Sequence, residues 1–238
     1  MIYAGGGVDT GASLSSQLEV GLGDVAEFGI AVTDLIRARQ GDVAGAESDG
    51  IFPYILAHFK MGVAEDRMFK HQPALALGFR KSFEREADDH KTRVAELYFV
   101  ASKDLGSKLT LHAGGSFWDA SLANSAGQEV TLHGAMGGAA KNQIRPYGGV
   151  ELRPLPDAQI LIEVFWVPEF VYRGMGAAED IDLKAELAWG VRYELARWAV
   201  LEAGVRVPDI ADVNLLDAQI FGQFKVVTRR LRQAVGLE

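Results

Sequence analysis

The chain has 238 residues, 48% apolar and 24% charged, with a net charge of −8 and no cysteine. No run reaches the roughly 18 to 20 apolar residues of a membrane helix, which excludes a helical membrane protein but not a barrel, whose strands need only about 9 to 11. An acidic balance without a basic block disfavours nucleic acid as a partner, and the absent cysteine fits the periplasm or outer membrane as readily as the cytosol.

Residues 3–8 are Gly-rich and make a marginal first strand. Gly5, Gly6, Gly7 and Gly11 would suit a phosphate loop only if a helix came next; residues 13–22 are instead Ser-rich and then alternating. In 17–23, Leu18, Val20 and Leu22 oppose Gln17, Glu19 and Gly21, and Gly23-Asp24 reads as a tight turn. Phe28, Ile30 and Val32 then oppose Glu27, Gly29 and Ala31, and 38–50 is expected to be a long polar loop. In 54–63, Ile55, Ala57, Phe59, Met61 and Val63 oppose Tyr54, Leu56, His58, Lys60 and Gly62. A connector at 64–72 leads to Leu75, Leu77 and Phe79 against Ala76, Gly78 and Arg80, and 84–91 is expected to be a charged loop.

Ala95, Leu97, Phe99 and Ala101 oppose Glu96, Tyr98 and Ser102; after a turn at 104–106, Leu109, Leu111, Ala113 and Phe117 oppose Thr110, His112, Gly114 and Ser116. Residues 118–144 have the weakest pattern and are expected to be mostly loop, with a short strand at 129–133. Val150 and Leu152 oppose Tyr147, Gly149, Glu151 and Arg153; a Pro-rich turn at 154–157 returns the chain to Ile160, Ile162, Val164 and Trp166 against Leu161, Glu163 and Phe165. Residues 168–180 read as another loop.

The cleanest stretch is 181–207. Ile181, Leu183, Ala185, Leu187, Trp189, Val191 and Tyr193 alternate with polar, charged or small residues; after a break at Arg197-Trp198, Leu201, Ala203, Val205 and Val207 do the same. Side chains on a strand alternate between faces. A helix competes because Leu183, Leu187, Val191 and Leu195 recur at i+4, but Gly190 would weaken it. A last strand runs through Leu216, Ala218, Ile220, Gly222, Phe224 and Val226.

Eleven strands are counted from residue 17 onward, and the marginal first strand makes twelve. Short connections alternate with long ones, as in outer-membrane barrels with short periplasmic turns and long outer loops. The fold expected is all-β: a single antiparallel transmembrane β-barrel of about twelve strands over 1–227, then a basic tail at 228–238. The face away from lipid collects Glu19, Glu27 and twelve further charges, together with Gly21, Gly29, Gly62, Gly78, Gly114, Gly149, Gly190 and Gly204. Glycine weakens a solvated strand face, whereas a crowded lumen has use for it. A soluble β-sandwich, with the apolar face turned inward, is the competing fold.

Several segments resemble YjbH-type and related short outer-membrane barrels found with exopolysaccharide genes: Leu18-Glu19-Val20-Gly21-Leu22, Pro73-Ala74-Leu75-Ala76-Leu77-Gly78, 98–106, Tyr147-Gly148-Gly149-Val150-Glu151 and Ile162-Glu163-Val164. In order, they span about 18–206. The resemblance implies a bacterial outer-membrane location, outer-membrane lipid and polysaccharide-export proteins as partners, and a role in surface-polysaccharide export. It supplies no catalytic motif. The chain departs from the pattern in two ways. Met1-Ile2-Tyr3 opens it without a basic and apolar signal region, and the last strand's aromatic, Phe224, lies well before the end.

Lys60, Arg80, Glu96, Glu151, Arg153, Glu163, Lys184, Glu186, Arg192, Glu194, Glu202 and Arg206 are expected to form a lumen-lining charge network. It either holds the lumen shut as paired charges or sets a field across a narrow pathway; Arg80, Arg153, Arg192 and Arg206 against Glu96, Glu163, Glu186 and Glu202 would be its gate or plug. Trp118, Trp166, Trp198, Tyr172 and Tyr193 are expected in an aromatic girdle. A lipid hydrolase would need serine and histidine on the outer wall; His58, Ser102, His112 and Ser116 all fall inward, so no catalytic residue is assigned. His58, His71, His90, His112 and His133 are dispersed, without ligand spacing, so neither metal nor cofactor is expected. The expected function is a passive channel or export accessory for a polar, saccharide-like cargo. The alternatives are a non-conducting surface barrel acting through loops 38–50, 118–144 and 168–180, and a soluble binding sandwich.

Overall fold

The computed structural model describes residues 2–9, 14–22, 25–33, 36–40, 54–87, 90–124, 127–132, 144–172, 180–213 and 218–227. Alternation at period two gives strands throughout, and no helix occurs among the described residues. The strands are β1 (Ile2–Asp9), β2 (Leu14–Leu22), β3 (Ala26–Thr33), β4 (Arg37–Gln40), β5 (Tyr54–Val63), β6 (Ala74–Ser82), β7 (Arg85–Ala87), β8 (His90–Leu105), β9 (Leu109–Asn124), β10 (Glu129–Thr131), β11 (Arg145–Leu155), β12 (Ala158–Tyr172), β13 (Asp180–Ala196), β14 (Ala199–Val207) and β15 (Gln219–Val227).

Twelve of them close a ring, β1-β2-β3-β5-β6-β8-β9-β11-β12-β13-β14-β15, each antiparallel to its neighbours. The seam is β1 against β15, in register from Tyr3↔Val227 to Asp9↔Phe221. The Gly-rich first stretch is therefore the strand that closes the barrel and removes its free edges. The i+4 helix reading of 183–195 gives way because β13 pairs along its length with β12 and β14.

The apolar face is the outer one. Leu18, Ile30, Phe59, Leu77, Phe99, Ile162, Val191 and Phe224, spread around the ring, are exposed. A soluble sandwich would bury this face, so the exposed belt is a lipid-facing surface.

The strands are longer at the outer end than the alternation alone indicates. β9 continues through Asn124 and β10 comes after it, so 118–144 is not simply loop. β12 runs to Tyr172 and β13 starts at Asp180, so 168–172 and 180 of the loop expected at 168–180 are strand, and 173–179 lie outside the described residues. β7 and the start of β8 lie within 84–91, and β4 lies at the start of the loop expected at 38–50. The rest of that loop, 133–143, and the tail at 228–238 are outside the described residues.

Here the barrel stops being a simple cylinder. β12 pairs with β11 only up to Val164. Beyond that point its free edge takes β4 as a parallel partner, Glu169↔Arg37 through Tyr172↔Gln40. β4 comes after β3, on the opposite wall of the ring, so the chain crosses the outer mouth to reach β12. Phe170 and Ile181, cross-strand partners, share the face of Ile162 and Trp189. Yet Phe170 is 0% exposed and Ile162 42%. Phe170 stacks on Tyr54 of β5, centroids 6.2 Å apart. Both belong to a buried cluster with Ile36, Leu56, Val94, Trp118, Ala120, Leu122, Leu132 and Ile181. The outer half of the β12–β13 hairpin thus lies against the inner faces of β5, β8 and β9 and plugs the mouth with an apolar core. Trp118, expected in a lipid-boundary girdle, is instead a plug residue; Tyr193 and Trp189 keep exposed outer positions.

Candidate functional site: the lumen beneath the plug

Below the plug the inward positions are polar. Direct cross-strand opposition brings charges together, because facing side chains on one sheet face lie within contact range. Lys60 faces Glu27, Nζ to Oε1 2.6 Å. Arg80 faces Glu96, and the guanidinium binds its carboxylate. Arg192 faces Glu202 at 3.1 Å and also donates to Gln159 Oε1 at 3.3 Å. Arg153 binds Glu151, two residues away on the same strand, at 2.6 Å. Arg206 lies one diagonal step from Glu186, 3.8 Å away. Lys184 binds Asp209, just past β14, at 2.9 Å.

Of the twelve residues expected in the lumen network, the structure therefore joins Arg80 to Glu96, Arg153 to Glu151, Arg192 to Glu202 and Arg206 to Glu186. Glu163 lines the lumen beside Arg192. Lys60 and Lys184 pair outside the set. Glu194 is exposed at the short-turn end, near the β-bulge before Ala196, and has no ion-pair partner among the described residues.

Each arginine–glutamate pair is built the same way round. The Arg80 side chain is 40% accessible and Glu96 only 5%; for Arg153 and Glu151 the values are 39% and 11%, for Arg192 and Glu202 31% and 12%, for Arg206 and Glu186 10% and 1%. In each pair the acid is the more enclosed partner; Arg80, Arg192 and Arg206 line the lumen cavities, whereas in the Arg153 pair it is Glu151 that does. At Arg80, Arg192 and Arg206 the charge nearer the lumen is therefore the cation, and a charge near water acts on a solute more than one packed behind its partner; Glu163 adds an exposed carboxylate beside them.

Two cavities open off this surface. One, of about 320 Å³, lies against β2, β3 and β5 and is lined by Glu19, Glu27, His58, Lys60, Arg206 and Lys225 among others. The second, of about 480 Å³, lies against β8, β9, β11 and β12 and is lined by Glu96, Ser102, His112, Tyr147, Glu151, Glu163, Trp166 and Arg192 among others. Arg80 and Tyr98 line both, with the guanidinium 5.2 Å from the Tyr98 ring centroid. They are the partition of the lumen, directly under the plug: Arg80 and Glu96 also touch the small space beneath Ile36, Trp118 and Val167.

The inward glycines make room for this furniture. Gly78 faces Tyr98 across the β6–β8 pair, and a Cβ there would overlap the ring. Gly114 faces Tyr147, whose ring would lie 2.8 Å from an added Cβ, and whose hydroxyl donates to Phe99 O at 2.8 Å. Glycine in a strand often marks such close approach.

The alternation could have supplied Lys225, which binds Glu202 at 2.9 Å; it occupies an inward position in the last strand. The two tyrosines were harder to find, because their role depends on which glycine each faces. His58 lies 3.4 Å from Glu19, and His112 Nδ1 is 2.8 Å from Ser102 Oγ. Both pairs face the lumen, away from lipid. No cluster of three or more metal-ligating side chains occurs among the described residues.

The closed ring has solved counterparts. The barrel has the fold of outer-membrane porins. It superposes on "KdgM porin in complex with disordered oligogalacturonate" with a TM-score of 0.53 and 8% identity, over 95% of this chain and 98% of that one. It superposes on the NanC porin with a TM-score of 0.53 and 10% identity, over the same shares. No family model and no curated protein matches the sequence. The likeness is one of architecture: the porin fold is shared and the YjbH-type family is not what these matches name.

Proposed function

We propose that the chain is a bacterial outer-membrane channel for small anionic solutes of saccharide type, without enzymatic activity. The observation that carries this reading is the enclosure of the ion pairs: in all four of these lumen Arg–Glu pairs the acid is the less accessible partner, and Arg80, Arg192 and Arg206 line the lumen cavities. Arginine forks match carboxylates, and Tyr98, Tyr147 and Trp166 supply flat apolar faces for sugar rings beside them. The oligogalacturonate named for the KdgM porin is a cargo of this chemistry. A narrower role beside polysaccharide-export proteins rests on short strand motifs such as 18–22 and 147–151.

Planar-bilayer recording in a salt gradient tests the channel. The expected result is an anion-selective conductance that galacturonate oligomers reduce more than neutral glucose oligomers do. Arg80→Gln with Arg192→Gln lowers the selectivity. A folded barrel that conducts nothing sinks the proposal. The apolar plug favours a second reading, a non-conducting surface barrel, and the same recording separates the two.

A further inference from the structure

The connection between β5 and β6 differs from the other turns at its end of the barrel. β8–β9, β11–β12 and β13–β14 are joined by two or three residues, whereas this one spans 64–73. Its backbone is held by its own hydrogen bonds. Asp66 N donates to Gln72 O at 3.2 Å and Gln72 N to Phe69 O at 3.2 Å. The buried Gln72 side chain accepts from Met68 N at 2.9 Å and donates to Pro73 O at 3.0 Å. Asp66 and His71 take positive φ values of 58° and 69°. Glu65 ties the knuckle to the neighbouring β8–β9 turn, accepting from Lys103 Nζ at 2.5 Å and from Asp104 N at 3.2 Å.

This ordered frame presents Met68 and Phe69 to the outside, 61% and 63% exposed. Arg67 and Lys70 flank them, both exposed and without an ion-pair partner among the described residues. The apolar pair continues a surface already assigned to lipid. Met61 and Leu75 are exposed on the strands that the knuckle joins, Val25 on the β2–β3 turn and Leu105 at the end of β8. An apolar tip between two cations is the pattern of an interfacial membrane contact: apolar groups enter the acyl boundary and cations meet phosphate.

We propose that the 64–73 knuckle is a membrane anchor, with Met68 and Phe69 in the headgroup–acyl boundary of the periplasmic leaflet and Arg67 and Lys70 on phospholipid phosphates. It rests on the reading of the barrel as membrane-spanning, and fixes the depth and rotation at which that barrel sits.

The absence of cysteine makes a clean test. Nitroxide labels go on Phe69→Cys, on Leu77→Cys in the lipid belt and on Asp157→Cys in a short turn at the same end. The full chain is folded into vesicles of phosphatidylethanolamine and phosphatidylglycerol, and its folding is checked by unheated gel mobility. Collision with oxygen is compared with collision with a water-soluble nickel chelate. The expected oxygen-to-nickel ratio at 69 lies severalfold above that at 157 and approaches that at 77. If 77 reports lipid while 69 matches 157, the anchor is overturned and the barrel stands. If 77 itself reports water, the membrane-spanning reading fails and the anchor with it. In the Phe69→Cys background, Arg67→Gln with Lys70→Gln is expected to lower the ratio toward its value in phosphatidylcholine alone. No change would overturn the phosphate pairing.

Discussion

The inner and outer halves of the β12–β13 hairpin carry apolar residues on the same face and place them in different surroundings. In the inner half, Ile162 and Trp189 face each other across the pair and both look outward, 42% and 39% exposed. In the outer half, Phe170 and Ile181 hold the same face and are 0% and 1% exposed. Along β13 nothing in the periodicity changes between them, whereas the outer half of β12 is apolar on both faces at Phe170 and Val171. The neighbour does change: β11 lines the inner half, β4 the outer half. Apolar area gains by leaving water whether the receiving surface is lipid or a packed core, so one pattern can serve both.

Truncating the two halves should break the comparison most sharply. Phe170→Ala removes a fully buried ring, a change that costs about 3–5 kcal/mol in a packed core. The expected outcome is a loosened plug: larger single-channel conductance with the barrel still resistant to cold SDS. Trp189→Ala on the lipid face of the inner half leaves conductance unchanged. Equal effects on conductance would show that the hairpin does not close the mouth.

A second test concerns the charged face of the same hairpin. Glu186 is 0% exposed and its basic neighbour is Arg206. Arg206→Met removes the cation beside a buried carboxylate, a loss of about 3–5 kcal/mol of stability. Adding Glu186→Leu should recover most of the loss. Urea unfolding in detergent reads both, and a double variant no better than the single would show that the pair is not the unit.

Smaller still is the expected effect of filling the lumen wall. Gly78→Ala pushes Tyr98 off its seat at a cost of about 1–3 kcal/mol. The ring then moves into the partition shared by the two cavities, and conductance falls while barrel mobility on gels is retained. Gly106→Ala, at a short turn with φ +77° and open space around it, costs backbone strain instead and leaves conductance alone.

The smallest effect is a pH dependence outside the barrel wall. Burial would raise the Asp209 carboxyl, but Lys184 Nζ and the backbone N–H groups of Ala211 and Asp212 outweigh it and hold it below the ordinary 3.8. A carboxyl depressed in the folded state contributes stability above its ordinary value, and that contribution disappears as pH falls through the folded value. The Lys184–Asp209 clamp beside the plug therefore weakens only in strong acid. Asp209→Asn should flatten the acid limb of thermal unfolding, with little change near neutrality.

The inward side of Arg80, Glu96, Arg192 and Glu202 was legible from parity alone, because each lies between residues of the apolar belt. Their pairing comes from register, which parity does not give: Arg80 meets Glu96 only because β6 and β8 align at 78↔98. Trp118, Ala120 and Leu122 lie on that same inward face; they alternate with Asp119 and Ser121, but with the apolar side opposite to that of 109–117, and the segment read as loop.

The sequence by itself determined the period, the twelve strands of the ring and the sign of most faces, since these depend on neighbours one or two residues apart. Only the tertiary structure decided where the barrel ends and the plug begins. That boundary depends on β4 reaching the far wall, on Phe170 meeting Tyr54, and on each glutamate settling behind its arginine. All are contacts between distant segments, where a buried face has the same local pattern as a lipid-facing one.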